Sequence, residues 1–582
     1  MTATVGDGGT WVEADKLGLR PRAVGALPVV NAVLGRLGFE ELVASYLPEP
    51  DGRCELGAAP VIGVLVRNLA LRRRPLYGLG AWAARYDPVL LGLAADQAGA
   101  LNDDRVGRAL ESLFLADRAS LLTALGLRAI AAYGIDCSEL HNDSTSITLY
   151  GAYRGPAGAS GGGAAPPRPA RGHSKDHRPE LKQLVEILTV SADGAVPLTH
   201  RLADGNTEDS TTHIATWDQL VAMLGRRDFV YVADCKLATR DNLDHIAARG
   251  GRFLTVLPRT RKEDQLGRAW IASGAVAWEE ISRGPGKRRD DPPRIYWAAE
   301  APACSAEGYR IVWVRSSTKR ADDAAARLDR IERGRTALGE LERQLASPRC
   351  QLRTRAAVQD AAAAALAGAG AARWVRVGVT DTVEHQHRQV TRGRPGPNTT
   401  YRRIERHRFG IEVSTDAEAV AADAASDGCF PFIANHDAPA AELLRMYKNQ
   451  PHLERRHATY KGVIEAAPVM LKSDTRIDAL GFCLYVALLV HALVERELRR
   501  AMAAKGIESL PLYYEDRPCK TPTAARVFEL LDPLAHTTVL HDGVALVAIA
   551  PTLDPIHKQL LSLLKVPKSA YSTPPRPTGN SR

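Results

Sequence analysis

None of the eight cysteines (Cys54, Cys137, Cys235, Cys304, Cys350, Cys429, Cys483 and Cys519) forms a CxxC pair, which excludes a zinc ribbon and points to no disulfide framework. Scattered thiols of this kind suit a reducing cytosol. The G-x-x-x-x-G-K-[ST] phosphate loop is missing too, so an ATP-driven enzyme built on it is excluded and no nucleotide cofactor is expected. The opening stretch MTATVGDGGTWVEADKLG lacks the basic start and apolar run of a signal peptide. The most apolar run, ALGFCLYVALLVHALV at 479–494, falls short of the roughly 20 residues of a spanning helix. It ends in Glu-Arg-Glu, which makes a buried core helix the expectation and leaves no membrane partner.

What is present is a basic balance. Lys plus Arg number 76 against 67 for Asp plus Glu, a formal net charge of +9, which suits an anionic polymer. At 582 residues the chain is too long for one ordinary core, so several domains or a core with a large insertion are expected.

Residues 24–130 carry apolar positions three and four apart in LPVVNAVLGRLGFEELVASYL, AAPVIGVLVRNLALRRRPLYGLGAWAARY and DDRVGRALESLFL, the pattern of helices. This module, with its basic cluster Arg72 to Arg74, is either a DNA-binding head or an ordinary bundle with solvated arginines. From Cys137 the period changes. SITLYGAY, LKQLVEILTV and VPLTHRL read as an antiparallel meander, interrupted by the Gly/Pro/Ala stretch at 154–172, which is expected to be a flexible loop. Helix TEDSTTHIATWDQLVAML, strand DFVYVAD, helix LATRDNLDHIAARG and strand RFLTVLP follow. Three strands, helix, strand, helix, strand is an α/β arrangement, in which ligands bind beyond the carboxyl ends of strands. After Pro258 a long excursion brings the strand-like runs VAWEEI, RIYWAAEA, YRIVWVRS, RWVRVGVT and HRFGIEVST and a helix at about 321–346, and closes on CFPFIANHD. Trp270, Trp278, Trp297, Trp313 and Trp374 lie in it, mostly as expected sheet core.

Three acids fall where such a topology converges. Asp143 in HNDSTSI is read as opening the first strand, Asp234 ends the fourth, and Glu454 lies past the closing strand within MYKNQPHLERRHATYKG. Carboxylates are what Mg²⁺ selects, and two such ions can activate a water and stabilise a leaving oxygen in phosphodiester chemistry. Each acid also has a local reading: Asp143 as a turn residue, Asp234 as a helix cap, Glu454 as part of a salt-bridged helix. Pro451 implies a kink at 447–451 or a fresh helix with the proline in its first turn. His173, His177, His452 and His457 show no ligand spacing and read as surface or DNA-facing.

Tyr447, Gln450, Glu454 and Lys461 form Y-x2-Q-x3-E-x6-K, which resembles the Y-x2-R-x3-E-x6-K signature of a group of bacterial insertion-sequence DDE transposases. HNDSTSITLYG and VYVADCKLATRDNL resemble the flanks of that family's two catalytic aspartates. GHSKDHRPELKQLV, LADGNTEDS and LNDDRVGRALESLF are further likenesses, and together they cover about residues 25–565. The resemblance implies an RNase H-like core with a large mostly β insertion carrying a helical segment, preceded by an all-helical domain and followed by a helical region. The implied divisions are a tail at 1–23, the helical DNA-end-binding domain at 24–130, the core at 131–258 and 428–500, the insertion at 259–427, a helical region at 501–565 and a disordered tail at 566–582. It implies that Asp143, Asp234 and Glu454 bind two Mg²⁺ or Mn²⁺ ions, and that Tyr447 and Lys461 contact transposon-end DNA. The family reaction is release of a 3′-hydroxyl and its attack on target DNA, carried out by a homodimer on DNA in the cytoplasm at the nucleoid. Gln450 replaces the family arginine; it can hydrogen-bond a phosphate but lacks the charge and planar fork, which Lys448, Arg445 or Arg455 would then supply. The alternatives from other classes are a catalytically inactive DNA-binding derivative and a metal-dependent nuclease on the same core.

Overall fold

The computed structural model describes residues 16–49, 55–71, 76–94, 97–151, 153, 165–286, 288, 290–466 and 471–572. The Arg72 to Arg74 cluster, residues 154–164 of the expected loop, Cys54 and the last ten residues lie outside the described residues. The other seven cysteines are free thiols. The chain divides into two units, Met1–Thr255 with Arg445–Arg582, and Val256–Leu444.

The sheet of the first unit consists of β1 (Glu139–Leu149), β2 (Lys182–Ser191), β3 (Pro197–Ala203), β4 (Val230–Ala233) and β5 (Arg252–Val256), in the order β3-β2-β1-β4-β5. The first three form the expected antiparallel meander, while β4 runs parallel to β1 and β5 parallel to β4. Parallel neighbours need a crossover, and helices His213–Leu224 and Arg240–Ala248 supply the connections on either side of β4. Between β2 and β3 the chain turns at Gly194, with φ +82°, where an added Cβ would meet Arg496 side-chain carbons at 2.8–2.9 Å. Only glycine fits there. Residues 165–172 of the expected loop are held, through mutual backbone hydrogen bonds between Ala170 and Gln183.

The expected N-terminal helices are present as Leu27–Leu37, Phe39–Tyr46, Ala58–Leu71, Asp103–Leu115 and Arg118–Tyr133. They pack with the helix Asp474–Ala504, 31 residues long and so about twice the apolar stretch that announced it. By length and composition this helix could cross a membrane, but 94% of its most apolar window is buried against the protein, as a core helix would be. Three expectations towards the chain ends need correction. Leu17–Ala23, read as tail, is a strand pairing with Ala535–His541, which pairs in turn with Val544–Ile549. The 501–565 region is therefore not simply helical. Its hairpin turns at Asp542 and Gly543, both with positive φ, as a two-residue turn matching strand twist requires. Tyr571, expected in a disordered tail, is buried and donates to the Gly25 carbonyl at 2.9 Å.

The second unit is less β-rich than expected. Its strands are β6 (Glu279–Gly284), β7 (Arg294–Glu300), β8 (Arg310–Ser316), β9 (Val375–Gln389), β10 (Tyr401–Thr415) and β11 (Cys429–Ala434). Helices Lys262–Ala272, Ser317–Ala346, Arg355–Ala369 and Ala417–Ala424 accompany them, where one helix was expected. The alanine-rich runs at 355–369 and 417–424 are helix-forming sequence with few propensity costs. Strands β11, β8, β7 and β6 lie side by side, antiparallel. Trp313 is fully buried in this sheet, and Trp374 is buried at the base of β9. Trp278 and Trp297 are half-buried and hold the Arg315 guanidinium against their rings at 4.6 and 4.9 Å. Strands β9 and β10 form a separate two-stranded ribbon. Its base packs, through Val375, Val379 and Ile411, on Leu338, Val358 and Leu366 of the two long helices.

Candidate active site

Ten of the eleven residues of β1 are buried, and the exception is Asp143. The strand begins at Glu139, so Asp143 sits inside it rather than opening it as expected. The polar HNDS run is tolerated there because its side chains are paired: Asn142 Nδ2 donates to the Leu188 carbonyl at 3.2 Å and to Thr189 Oγ1 at 3.0 Å. The β1–β4 register ends on Asn142 opposite Ala233. The next residues, Asp143 and Asp234, therefore come level on neighbouring parallel strands, at the carboxyl end of β4. Each also keeps its local partner. Asp143 Oδ1 accepts from Ser144 N at 2.8 Å, and Asp234 Oδ1 caps the turn Cys235–Leu237 by accepting from Lys236 N at 3.0 Å.

Lys175 reaches into the same place. Its Nζ lies 3.5 Å from Asp143 Oδ1 and 3.1 Å from Asp209 Oδ2, and donates to the Ser144 carbonyl and hydroxyl at 2.6 and 2.8 Å. The Ser144 hydroxyl donates to Asp209 Oδ1 at 2.5 Å. Burial works against the Lys175 charge, but Asp143, Asp209 and Asp234 outweigh it and hold the ammonium above its ordinary range. Burial likewise raises Asp209, but the Ser144 bond and the Lys175 charge win and keep it low. Asp234 goes the other way: burial pushes it up, the Lys236 N–H opposes, and the charges of Asp143 and Asp209 add to the rise. The pocket thus holds three acids and one built-in cation, and Asp234 is the carboxylate least compensated within it.

The helix bearing Glu454 is tied to β1. Helix Ala440–Tyr447 ends, Lys448 and Asn449 turn, and a fresh helix, Gln450–Ala458, starts with Pro451 in its first turn, the second of the two expected outcomes. His141 bonds Gln450 Oε1 at 2.9 Å and Glu139 Oε1 at 2.8 Å, and Gln450 Nε2 donates to the Asn142 carbonyl at 3.2 Å. Asn449 and Arg445 also donate to Glu139, at 2.9 and 2.6 Å. Burial would raise Glu139, but the bonds from His141, Asn449 and Arg445 bring it down to about 2. Gln450, 7% exposed, therefore spends its amide inside the protein, and the Arg445 guanidinium is committed to Glu139.

Glu454 itself lies on the exposed face. Tyr447 is half-buried, and its hydroxyl is pushed up to about 12 by burial and then by the charges of Asp234, Cys235, Glu454 and Asp143. One phenol thus feels all three expected acids. Among the described residues, however, no three histidine, cysteine or carboxylate groups stand close enough to hold one metal ion. Asp143 and Asp234 are the neighbouring pair; Glu454 is not drawn in beside them. Lys448 and Arg455 are exposed. Lys461 lies in a π-helical turn, Thr459–Val463, and bonds Asp176 Oδ1 at 2.6 Å; the other Asp176 oxygen accepts from Thr148 at 3.0 Å.

Behind Asp143 is a chain of groups with no signal in sequence spacing. His457, expected at the surface, is 7% exposed, with Nε2 3.8 Å from Asp143 Oδ2 and Nδ1 3.3 Å from Glu186 Oε2. Glu186 is fully buried and its other oxygen lies 3.5 Å from His200 Nε2. Burial lowers the His200 imidazole. His173, His177 and His452 are exposed, as expected of surface histidines. Lys175 and Asp209 lie within GHSKDHRPELKQLV and LADGNTEDS, but no spacing rule connects them to Asp143.

Residues 20–127 match a family described as a domain of unknown function, DUF4277. No curated protein matches the chain. Among solved structures, it is similar to the piggyBac transposase synaptic complex with hairpin DNA, at 7% identity and a TM-score of 0.36, over 87% of this chain and 78% of that one. It is also similar to the Mos1 transposase paired-end complex with left transposon end, at 9% identity and a TM-score of 0.14, over 35% of this chain and 60% of that one.

Proposed function

We propose that this chain is a DNA transposase that cuts at the ends of a mobile element and joins the freed 3′-hydroxyl to target DNA. The observation that carries the reading is the level placement of Asp143 and Asp234 at the end of a parallel strand pair, with the Glu454 helix tied to the same strand through Gln450 and His141. The order β3-β2-β1-β4-β5 supports an RNase H-like core.

The site suits Mg²⁺ or Mn²⁺ on the chemistry of its donors: Asp143 and Asp234 end level on neighbouring strands, and Asp234 is left with a charge that burial, Asp143 and Asp209 all disfavour. Hard cations of this kind accept one or two carboxylates and fill their remaining positions with water and substrate phosphate oxygens. Asp143 and Asp234 would hold the metal, with Glu454 contributing from the helix, and the ion would activate the attacking water and stabilise the leaving oxygen. The protein's own groups do the rest. Lys175 balances the acids and orders Ser144 and Asp209, and the Tyr447 hydroxyl feels the charges of the pair and of Glu454. Lys448 and Arg455, exposed on either side of Glu454, and Lys461 take the phosphates of the end DNA, with two copies of the chain holding two ends.

The test is cleavage and joining of labelled element ends, in Mg²⁺ or Mn²⁺, by Asp143→Asn, Asp234→Asn and Glu454→Gln. Each is expected to lose at least 100-fold in cleavage with DNA affinity unchanged. Cleavage that survives the first two sinks the site. Ends that are cut but never join a supercoiled target would make the protein a nuclease instead.

A further inference from the structure

We infer that the β9–β10 ribbon is a DNA-groove-binding element, engaging duplex DNA through its tip without regard to sequence. This rests on the proposal that DNA is the substrate, but on different residues.

The ribbon pairs fifteen residues of each strand, from Val375 opposite Thr415 to Gln389 opposite Tyr401, a length of about 50 Å at 3.4 Å per residue. Burial ends at Val379 and Ile411; beyond them no residue on either face is buried. Midway along, charges are paired across the strands: His407 with Asp381 at 2.9 Å and Arg408 with Glu384 at 2.8 Å, and His385 lies 3.9 Å from Glu405. Residues 384–406 hold six arginines and two glutamates, a net of +4, against +9 for the whole chain. Arg388 lies directly opposite Arg402, and among the described residues neither has a carboxylate partner. Like charges opposed in a ladder cost stability, and Arg392 and Arg394 in the connecting loop add to the repulsion. An anion on the tip would relieve it.

Shape narrows the anion. Side chains alternate between faces, so Arg388, Arg402 and Arg406 lie on one face with Glu384, and Arg403 lies on the other with His387 and Glu405. A tip with arginines on both faces and in its loop suits a cleft with phosphates on both walls, and the major groove of B-DNA admits a two-stranded ribbon. Val390, Tyr401 and Ile404, 63%, 49% and 38% exposed, put apolar surface at the same end, where thymine methyls and sugars would meet it. A free phosphate or an acidic peptide would engage the arginines of one face and leave those of the other face and of the loop unused.

The experiment compares the full chain with a variant carrying Arg388→Gln, Arg392→Gln, Arg394→Gln and Arg402→Gln, and with one carrying lysine at the same four positions. The ligand is random-sequence duplex DNA without Mg²⁺, titrated at several salt concentrations. Each phosphate contact contributes about 0.9 to the slope of log affinity against log salt. The glutamine variant should lose about 3 units of slope and bind at least tenfold more weakly at 150 mM salt, and the lysine variant should keep most of both. Unchanged affinity and slope in the glutamine variant overturn the inference. So does an altered oligomeric state with DNA affinity intact, which would make the tip an interface between copies. Cleavage surviving in Asp143→Asn would sink the transposase reading and leave this result standing, since duplex binding is its only readout.

Discussion

Asp234 holds its negative charge where burial, Asp143 and Asp209 all disfavour it. Its carboxyl is raised above the ordinary value, so the folded state binds this proton more tightly than the unfolded chain. The group therefore subtracts from stability as pH rises from the unfolded pKa through the folded one, and stays a full cost above both. Asp234→Asn keeps an oxygen for the Lys236 N–H and removes the charge. Its melting temperature without metal is expected to exceed the wild type's at pH 7, with the gain fading as pH falls through the raised folded value and gone below about 4. Equal melting temperatures at pH 7 would mean the charge is already compensated. This residue was legible because the apolar run VYVA stops on it. Asp143 was half-legible: the polar letters around it hid a strand whose polar side chains bond one another. Lys175, Asp209 and His457 were not legible, because their contacts join segments that only tertiary structure brings together.

The helix Gln450–Ala458 is anchored at both ends of its buried face. Gln450 bonds β1, and Arg456 donates to the Ala195 and Gly194 carbonyls at 2.8 Å each and to Glu495 at 2.7 Å. Glu495 is buried in the long Asp474–Ala504 helix and held low against burial by the charges of Arg456 and Arg499. Arg456→Met leaves that carboxylate without its closest partner and should cost about 3–5 kcal/mol in denaturant unfolding. A loss under 1 kcal/mol would show that Arg499 suffices. Position 450 faces His141 and a backbone carbonyl, and the Gln450 amide serves both, as acceptor and donor. Pro451 announced the fresh helix. The hairpin at 535–549 was also announced, by Asp-Gly between alternating apolar residues, and was passed over for the helical pattern around it. The β9–β10 ribbon was only partly legible, since charges on both faces erase the two-residue alternation.

Across the first unit, sequence-distant segments close on one another. The strand Leu17–Ala23 lies against Ala535–His541, and Tyr571 bonds both the Gly25 carbonyl and, through its own carbonyl, His536 Nε2 at 2.8 Å. Deleting residues 1–23 exposes the edge of Ala535–His541 and is expected to lower the melting temperature. Protease cleavage within 535–549 should rise with it; an unchanged digestion pattern would mean the hairpin stands without its partner. Sequence reasoning had both ends as tail because a lone seven-residue strand gains its pairing from a segment more than 500 positions away.

The tie between β1 and the Glu454 helix has a consequence for manufacture. His141 and Gln450 are 309 positions apart, so at about 5–20 residues per second the ribosome leaves β1 waiting about 15–60 s for its partner. Until then the two aspartates are made but the glutamate is not. Products of translation that stops between residues 234 and 454 carry Asp143 and Asp234 without Glu454, so under the proposed function such fragments would lack the full set of acids needed to cut DNA.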